Sequence, residues 1–433
     1  EHFSLSKDDI YAALSFVASE KDAILAKLDG HMRRRYNRCG GTSYYDVTNY
    51  YFEIDAEDEL RRRGVSKEHR PDPIVQMGLL IDAEGFPITY NLHPGNTHDA
   101  ATLISDLVRI KRDFSDKRIV VVGDKGINCS DNIFVLLAKG DGYVFSSSVR
   151  GGTEELKAWA TSLEGFSEYK TQEEGFKCKS RIATRKIKVT TEEANKALKR
   201  KRKTKTTEIT ERQVAFYSPK YARRAKCERE RAILKARKMM ENPSRLEAMF
   251  DKSAARYVKG IVYDEAGEIL EAKTALFFDE ERLAEEEALD GYYVISTSEF
   301  EATDSWVIDT YRGLWRIEET FRVEKSLLSA RPVYLSRAER IEAHFLICFI
   351  ALLVMRILEH RTKHAHTMNA LIKTLRAANG THLGDNWWIF DHRDAALDAI
   401  GDVLGIDLTR QVLSEGDVRE MSGAVKRASR PAG

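Results

Sequence analysis

Residues 118–126 read RIVVVGDKG, a short apolar strand that stops at Gly123 and delivers a carboxylate, Asp124, just past its end. Carboxylates at the carboxyl ends of buried strands line the crevice where open α/β sheets place their sites. Alone, Asp124 reads equally well as an ordinary turn or N-cap residue, so its surroundings decide. Upstream, residues 44–54 (YYDVTNYYFEI) are rich in β-branched and aromatic side chains and read as a strand. Residues 74–81, a turn at 82–85 and residues 86–92 predict a hairpin. Residues 98–112 predict a helix, and a further helix and a strand at 142–149 follow the quoted stretch. Three adjacent strands, then helix, strand, helix and strand, make an α/β layout with one mixed sheet.

Asp46 lies inside the 44–54 strand, where Val or Ile is the ordinary occupant. A charge in a strand interior is costly unless it is paired or bound to metal. Before this strand, residues 6–29 carry apolar positions at helical spacing and run into Gly30, which predicts one helix. The chain begins at Glu1 and its first methionine is Met32, so the N-terminus reads as incomplete. From Gly151 the character changes. Residues 177–189 alternate basic and apolar, 199–205 (KRKRKTK) form a basic burst, and 220–240 read as a basic helix. With strand-like runs at 257–263 and 269–278, residues 151–285 read as an inserted domain. The core pattern resumes at Gly291, followed by a long helix over 304–328 and an apolar helix over 341–360. The tail from Asn369 reads as helical, with Trp387 and Trp388 in a loop.

Composition narrows the class. With 42% hydrophobic and 32% charged residues over 433 positions, the chain has material for two or three soluble domains. Its five cysteines (Cys39, Cys129, Cys178, Cys227, Cys348) include no Cys-x-x-Cys pair, which excludes a disulfide framework and a cysteine zinc site and fits a reducing cytoplasm. The longest apolar run, 345–355, is shorter than a membrane span and reads as a buried helix. The net charge of +1 conceals an asymmetry: residues 171–240 hold 23 Lys+Arg against 8 Asp+Glu, a net +15, leaving −14 on the remainder. A basic module on an acidic body points to a phosphate backbone as partner, with a solvated helix face as the ordinary alternative.

Along 304–328, Tyr311, Trp315, Glu318, Arg322 and Lys325 fall at offsets 0, 4, 7, 11 and 14. At about 100° per residue these stay within about 40° of one line. Leu314, Ile317, Phe321 and Leu328 form a second, apolar stripe about a quarter turn away. Glu318 and Arg322 would pair on any salt-bridged surface helix, but a solvated face has little use for Tyr and Trp.

The segment YRGLWRIEETFRVEK (311–325) resembles the Tyr-Arg-Glu-Lys signature of bacterial insertion-sequence DDE transposases, the IS-four superfamily. Tyr311, Glu318 and Lys325 fall in register; the signature arginine position holds Leu314, leaving Arg312 or Arg316 to replace it. The runs YYDVTNYYFE, GLLIDAEGFPITYNLHPGN, VVVGDKG and RIEAHFLICFIALL resemble the same branch, and the resemblance covers about residues 6–425. It implies an α/β, ribonuclease-H-like mixed-sheet core interrupted by a largely β insertion domain, with helical N- and C-terminal segments. The expected parts are an N-terminal helical segment (1–40), core (41–150), basic insertion (151–285), core (286–365) and a C-terminal helical region (366–433).

It further implies that Asp46, Asp124 and Glu318, at spacings of 78 and 194 residues, are the catalytic triad, holding two Mg²⁺ or Mn²⁺ ions. Tyr311, Arg322 and Lys325 would hold phosphates, and Trp315 and Tyr293 would meet an unstacked base. Lys199, Arg200, Lys201, Arg202 and Lys203 would grip the backbone. The implied activity is cut-and-paste transposition by a homodimer on double-stranded DNA in a bacterial cytoplasm. A ribonuclease-H-fold nuclease or resolvase, and a non-catalytic DNA-binding descendant, are the competing readings.

Overall fold

Asp82 turns the first hairpin. Its carboxylate accepts the Glu84 and Phe86 amides at 3.0 and 2.9 Å, and Gly85 takes φ 92°, so β2 (Ile74–Asp82) folds back on β3 (Pro87–Pro94). The computed structural model describes residues 5–36, 38, 41–65, 67, 70–114, 118–169, 173–190, 204–241, 250–263 and 269–428. β1 (Thr42–Tyr51) pairs antiparallel with β2 on one edge and parallel with β4 (Val120–Gly123) on the other, and β4 runs parallel to β5 (Gly142–Ser147). The order β3-β2-β1-β4-β5, with helices Asp99–Phe114 and Ser130–Ala138 as crossovers, is a ribonuclease-H-like core.

The sheet does not stop at β5. The strands are continued by β6 (Ser167–Glu168), β7 (Lys177–Thr190), β8 (Thr204–Tyr217), β9 (Val258–Tyr263), β10 (Ile269–Phe278) and β11 (Tyr292–Thr297). Nine of them form one sheet ordered β3-β2-β1-β4-β5-β11-β8-β7-β6, while β9 and β10 pair apart. Strands from the inserted region therefore extend the core sheet itself. The basic burst at Lys199, Arg200, Lys201, Arg202 and Lys203 lies outside the described residues.

Helix Ala338–Arg361 backs the core, with Phe345 against Tyr50 at 4.6 Å and Phe349 against Tyr90 at 5.4 Å. By length and composition it could cross a membrane, but ten of its residues, Ile341 and Leu352 among them, are buried in the protein.

Three expectations about helices change. The N-terminal helix is two, Lys7–Ser19 and Lys21–Tyr36, and Gly30 lies inside the second. Burial of Leu25 and Met32, and Asp29 paired with Arg33 and Arg38, outweigh the roughly 1 kcal/mol that a mid-helix glycine costs. The 304–328 helix breaks into Asp304–Arg312, Trp315–Arg322 and a π turn, Val323–Leu327. Gly313 sits against Tyr44, and Leu314, Arg316 and Ile317 donate three residues back.

The third change is in the tail, where Trp387 and Trp388 are in a strand, not a loop. β13 (Trp387–Phe390) pairs between β12 (Gly380–Gly384) and β14 (Val412–Ser414), turned by Asp385 and Asn386 at positive φ. The tail helices pack Leu371 and Ile400 against Val323 and Leu352 of the same chain, while Leu375 and Leu404 stay exposed.

Candidate active site

From Ser43 to Tyr50 every position of β1 is buried except Asp46, the strand's one charged side chain, which is half-buried. Asp46 Oδ1 accepts the Val47 amide at 2.7 Å, and Lys67 Nζ donates to the Val47 carbonyl beside it. β4 runs parallel to β1 with Val122 opposite Tyr44, and Asp124, just past the end of β4, is near enough to act on the Asp46 carboxyl. At the end of β4, Gly123 makes room for Ile127: a Cβ there would lie 2.0 Å from Ile127 Cδ1. Asp124 Oδ1 accepts the Gly126 amide at 2.7 Å, which fixes its direction.

Burial pushes the Asp46 carboxyl up to about 6; Lys67 and the Val47 amide oppose this, and Asp124 and Asp99 add to it. Asp99 is raised by burial as well, opposed by Lys67, with Asp124 pushing it further. Asp46 and Asp99 each resist being charged, through burial first and neighbouring carboxylates second, a conflict that a divalent cation relieves. Hard carboxylate oxygens suit Mg²⁺ or Mn²⁺. Among the described residues, however, no three His, Cys, Asp or Glu side chains already stand close enough to share one ion. The aspartates are paired; the third carboxylate is nearby but apart.

That third carboxylate is Glu318, exposed on the helix Trp315–Arg322. It lines a cavity of about 410 Å³ together with Asp124, Ser146, Arg150, Tyr293 and Tyr311. An adjoining cavity of about 480 Å³ shares Glu318 and is walled by Trp315, Arg312, Tyr221 and Arg224. Burial raises the Tyr311 phenol, Ser146 opposes this, and Asp124 adds to it, which ties Tyr311 to the aspartate side of the cleft. Tyr293 stacks on Phe216 at 5.4 Å and 10° and meets Tyr221 at 4.9 Å.

Of the residues expected on one stripe, Tyr311, Trp315 and Glu318 share a cavity. Arg322 projects into solvent, 3.7 Å from Glu319, and Lys325 lies over the Tyr50 ring at 5.1 Å; neither lines these cavities. The cause is geometric. Arg322, still on the Trp315–Arg322 helix, is turned outward to solvent, while Lys325 lies within the π turn that starts at Val323, where rotation of about 100° per residue no longer holds. That turn also buries Glu324, whose carboxyl burial pushes up to about 7 against Tyr50 and Lys325.

Sequence reading missed Lys67, Asp99, Arg150, Tyr221 and Arg224. Tyr221 and Arg224, one turn apart on the helix Pro219–Glu241, were the only ones with a signal: an aromatic among basic residues. Of the two candidate replacements for the signature arginine, Arg312 faces the cavity with its guanidinium 4.5 Å from the Phe176 ring centre. Arg316 is turned onto Tyr44 and Trp315.

The family profile described as "Transposase DDE domain" matches residues 66–354. The chain belongs to the DDE transposase family. The matched range contains Asp124 and Glu318 of this DDE transposase and begins after Asp46. A solved structure, the cryo-EM piggyBac transposase synaptic complex with hairpin DNA, aligns over 93% of this chain and 62% of that one, at 7% identity and TM-score 0.38. The chain thus spans less than two thirds of that transposase's length, and a likeness so distant carries no argument about the site. No curated protein is significantly similar in sequence.

Proposed function

We propose that this DDE transposase carries out cut-and-paste transposition of an insertion sequence, and that it falls in the Tyr-Arg-Glu-Lys signature class. Asp46, Asp124 and Glu318 would hold two Mg²⁺ or Mn²⁺ ions. The observation that carries this reading is the closeness of Asp124, just past the end of β4, to Asp46 on the neighbouring β1, next to the cavity that Asp124 shares with Glu318. Bound there, the ions would activate an oxygen nucleophile and neutralise charge on the leaving oxygen.

The protein's own groups do the rest. Arg150, Arg224 and Arg312 surround the cavities and neutralise phosphates, with Arg312 standing in for the signature arginine. Trp315 is 56% exposed and Tyr293 41% exposed, so both keep a π face for a base unstacked as a DNA hairpin forms. Tyr311, Arg322 and Lys325 hold phosphates at the element end. The basic helix Pro219–Glu241 and the run Lys199–Lys205 grip duplex DNA through its backbone. Two subunits act on paired ends, each cutting the end held mainly by its partner.

The test is Mg²⁺-dependent cleavage of the element's own ends. Asp46→Ala, Asp124→Ala and Glu318→Ala are each expected to lose cleavage and keep DNA binding. Near-normal cleavage by any one of them removes that residue from the triad.

A further inference from the structure

A third cavity, also about 410 Å³, adjoins the aspartate pair but shares no lining residue with those that Glu318 lines. It opens beside Val47, the neighbour of Asp46, and beside Gly126, two residues past Asp124. Asp46 and Asp124 therefore sit between two hollows, one rich in aromatics and arginine, the other built differently.

Backbone shapes the second hollow. A Cβ on Gly64 would fall 2.0 Å from the Gly95 carbonyl oxygen, and one on Gly95 would fall 2.2 Å from the carbonyl oxygens of Arg62 and Ile74. Arg62 and Ile74 exchange backbone hydrogen bonds at 3.1 and 2.8 Å, which pins the loop to the start of β2. Walls of interlocked main chain hold their shape without a ligand.

Its polar groups have a definite sense. Gln76 on β2 lines the cavity and is 5% exposed. Its Nε2 donates to Asp99 Oδ1 at 3.4 Å, which orients the amide and leaves Oε1 as a buried acceptor with no partner among the described residues. Asp99 adds carboxylate acceptors, while the Asn49 amide nitrogen is already committed to the Val65 carbonyl at 3.2 Å. Lys67, which lines the cavity as His98 does, is exposed and reaches in to the Val47 carbonyl. Acceptors inside repel a phosphate and invite an N–H donor, and the ammonium at the lip suits the phosphate attached to that donor.

We propose that this cavity takes one unpaired nucleotide of DNA on the far side of the cleavage point from Trp315, reading an amino-bearing base through Gln76 and Asp99. Adenine, cytosine and guanine carry an exocyclic amino group whose two N–H bonds meet both acceptors at once; unpaired thymine offers a single N3–H. The inference rests on the DNA-cleaving reading above and adds a base preference to it.

The test is fluorescence anisotropy of the full chain with labelled single-stranded octamers of dA, dC and dT, in EDTA so that metal and cleavage play no part. Wild type is expected to bind dA and dC about tenfold more tightly than dT, the scale of one good base-edge contact. Gln76→Leu, close in volume and without the acceptor, should abolish that preference while leaving dT binding unchanged. Gln76→Glu, which keeps the acceptor, should retain it. A preference unchanged in Gln76→Leu, or an equal loss for all three octamers with Gln76→Leu, overturns the pocket as a base reader. Absence of binding to any DNA, duplex included, instead overturns the DNA-cleaving reading on which it rests.

Discussion

The two sides of the cleft are built to different standards of rigidity. Asp46 stands on β1 and Asp124 just past the end of β4, two strands that pair with each other and are largely buried. Glu318 stands exposed on an eight-residue helix, with a tightened turn before it and a π turn after it. The strand side carries electrostatic strain, since burial and like charge raise Asp46. The helix side carries geometric irregularity and aromatic surface. On the proposal that Asp46, Asp124 and Glu318 form one site, the third carboxylate, carried on its short helix, would join the other two when ions and DNA arrive.

The comparison breaks most sharply on catalysis. If all three carboxylates serve one site, each alanine variant lowers single-turnover cleavage by about a hundredfold or more, whichever side it lies on. A much smaller loss for Glu318→Ala would confine the chemistry to the strand side.

Stability should separate the sides instead. Asp46 is raised from 3.8 to about 6 in the folded chain, so folding favours its protonated form. Stability from this group is fully present below about pH 4 and is lost as pH rises through about 6. Asp46→Asn is therefore expected to raise the unfolding free energy at pH 7.5 by about 2–3 kcal/mol and to flatten the decline between pH 4 and 6. Glu318→Gln, on an exposed position, should stay within about 0.5 kcal/mol. Denaturant melts across pH decide this, and equal effects at the two positions would erase the contrast.

The helix side answers to Gly313. A Cβ there would lie 2.0 Å from the hydroxyl oxygen of buried Tyr44, so Gly313→Ala should cost about 1–3 kcal/mol and lower cleavage through displacement of Glu318. Wild-type activity in that variant would mean that the break in the helix does not position Glu318. The smallest effect is expected at Trp315. Replacing it by Ala should slow hairpin formation about tenfold while first-strand nicking is spared, and Phe should restore it. Equal slowing of both steps would assign Trp315 to general binding.

Much of this was legible because strands and turns announce themselves locally. The alternation and apolar runs of residues 44–54, 74–92 and 118–122 foretold β1 to β4, and the Gly-Asp after β4 foretold where Asp124 stands. The stripe from Tyr311 to Lys325 was legible only as far as Glu318. Its extrapolation to Lys325 assumed an unbroken α-helix, and the π turn from Val323 breaks it; that turn buries Glu324 beside Tyr50, a residue 274 positions away in sequence.

What the sequence determined by itself was the order of the core elements from β1 to β5, the basic character of the insertion and the carboxylates at their strand and helix positions. These follow from side-chain periodicity and charge, which are properties of neighbours along the chain. Only the tertiary structure decided that β7 and β8 join the core sheet through β11, that Tyr221 and Arg224 reach the cleft, and that Lys67, Gln76 and Asp99 gather beside Asp46. Strand register, burial and the coupling of one carboxyl to another depend on which distant segments share a boundary, and no local pattern encodes that pairing.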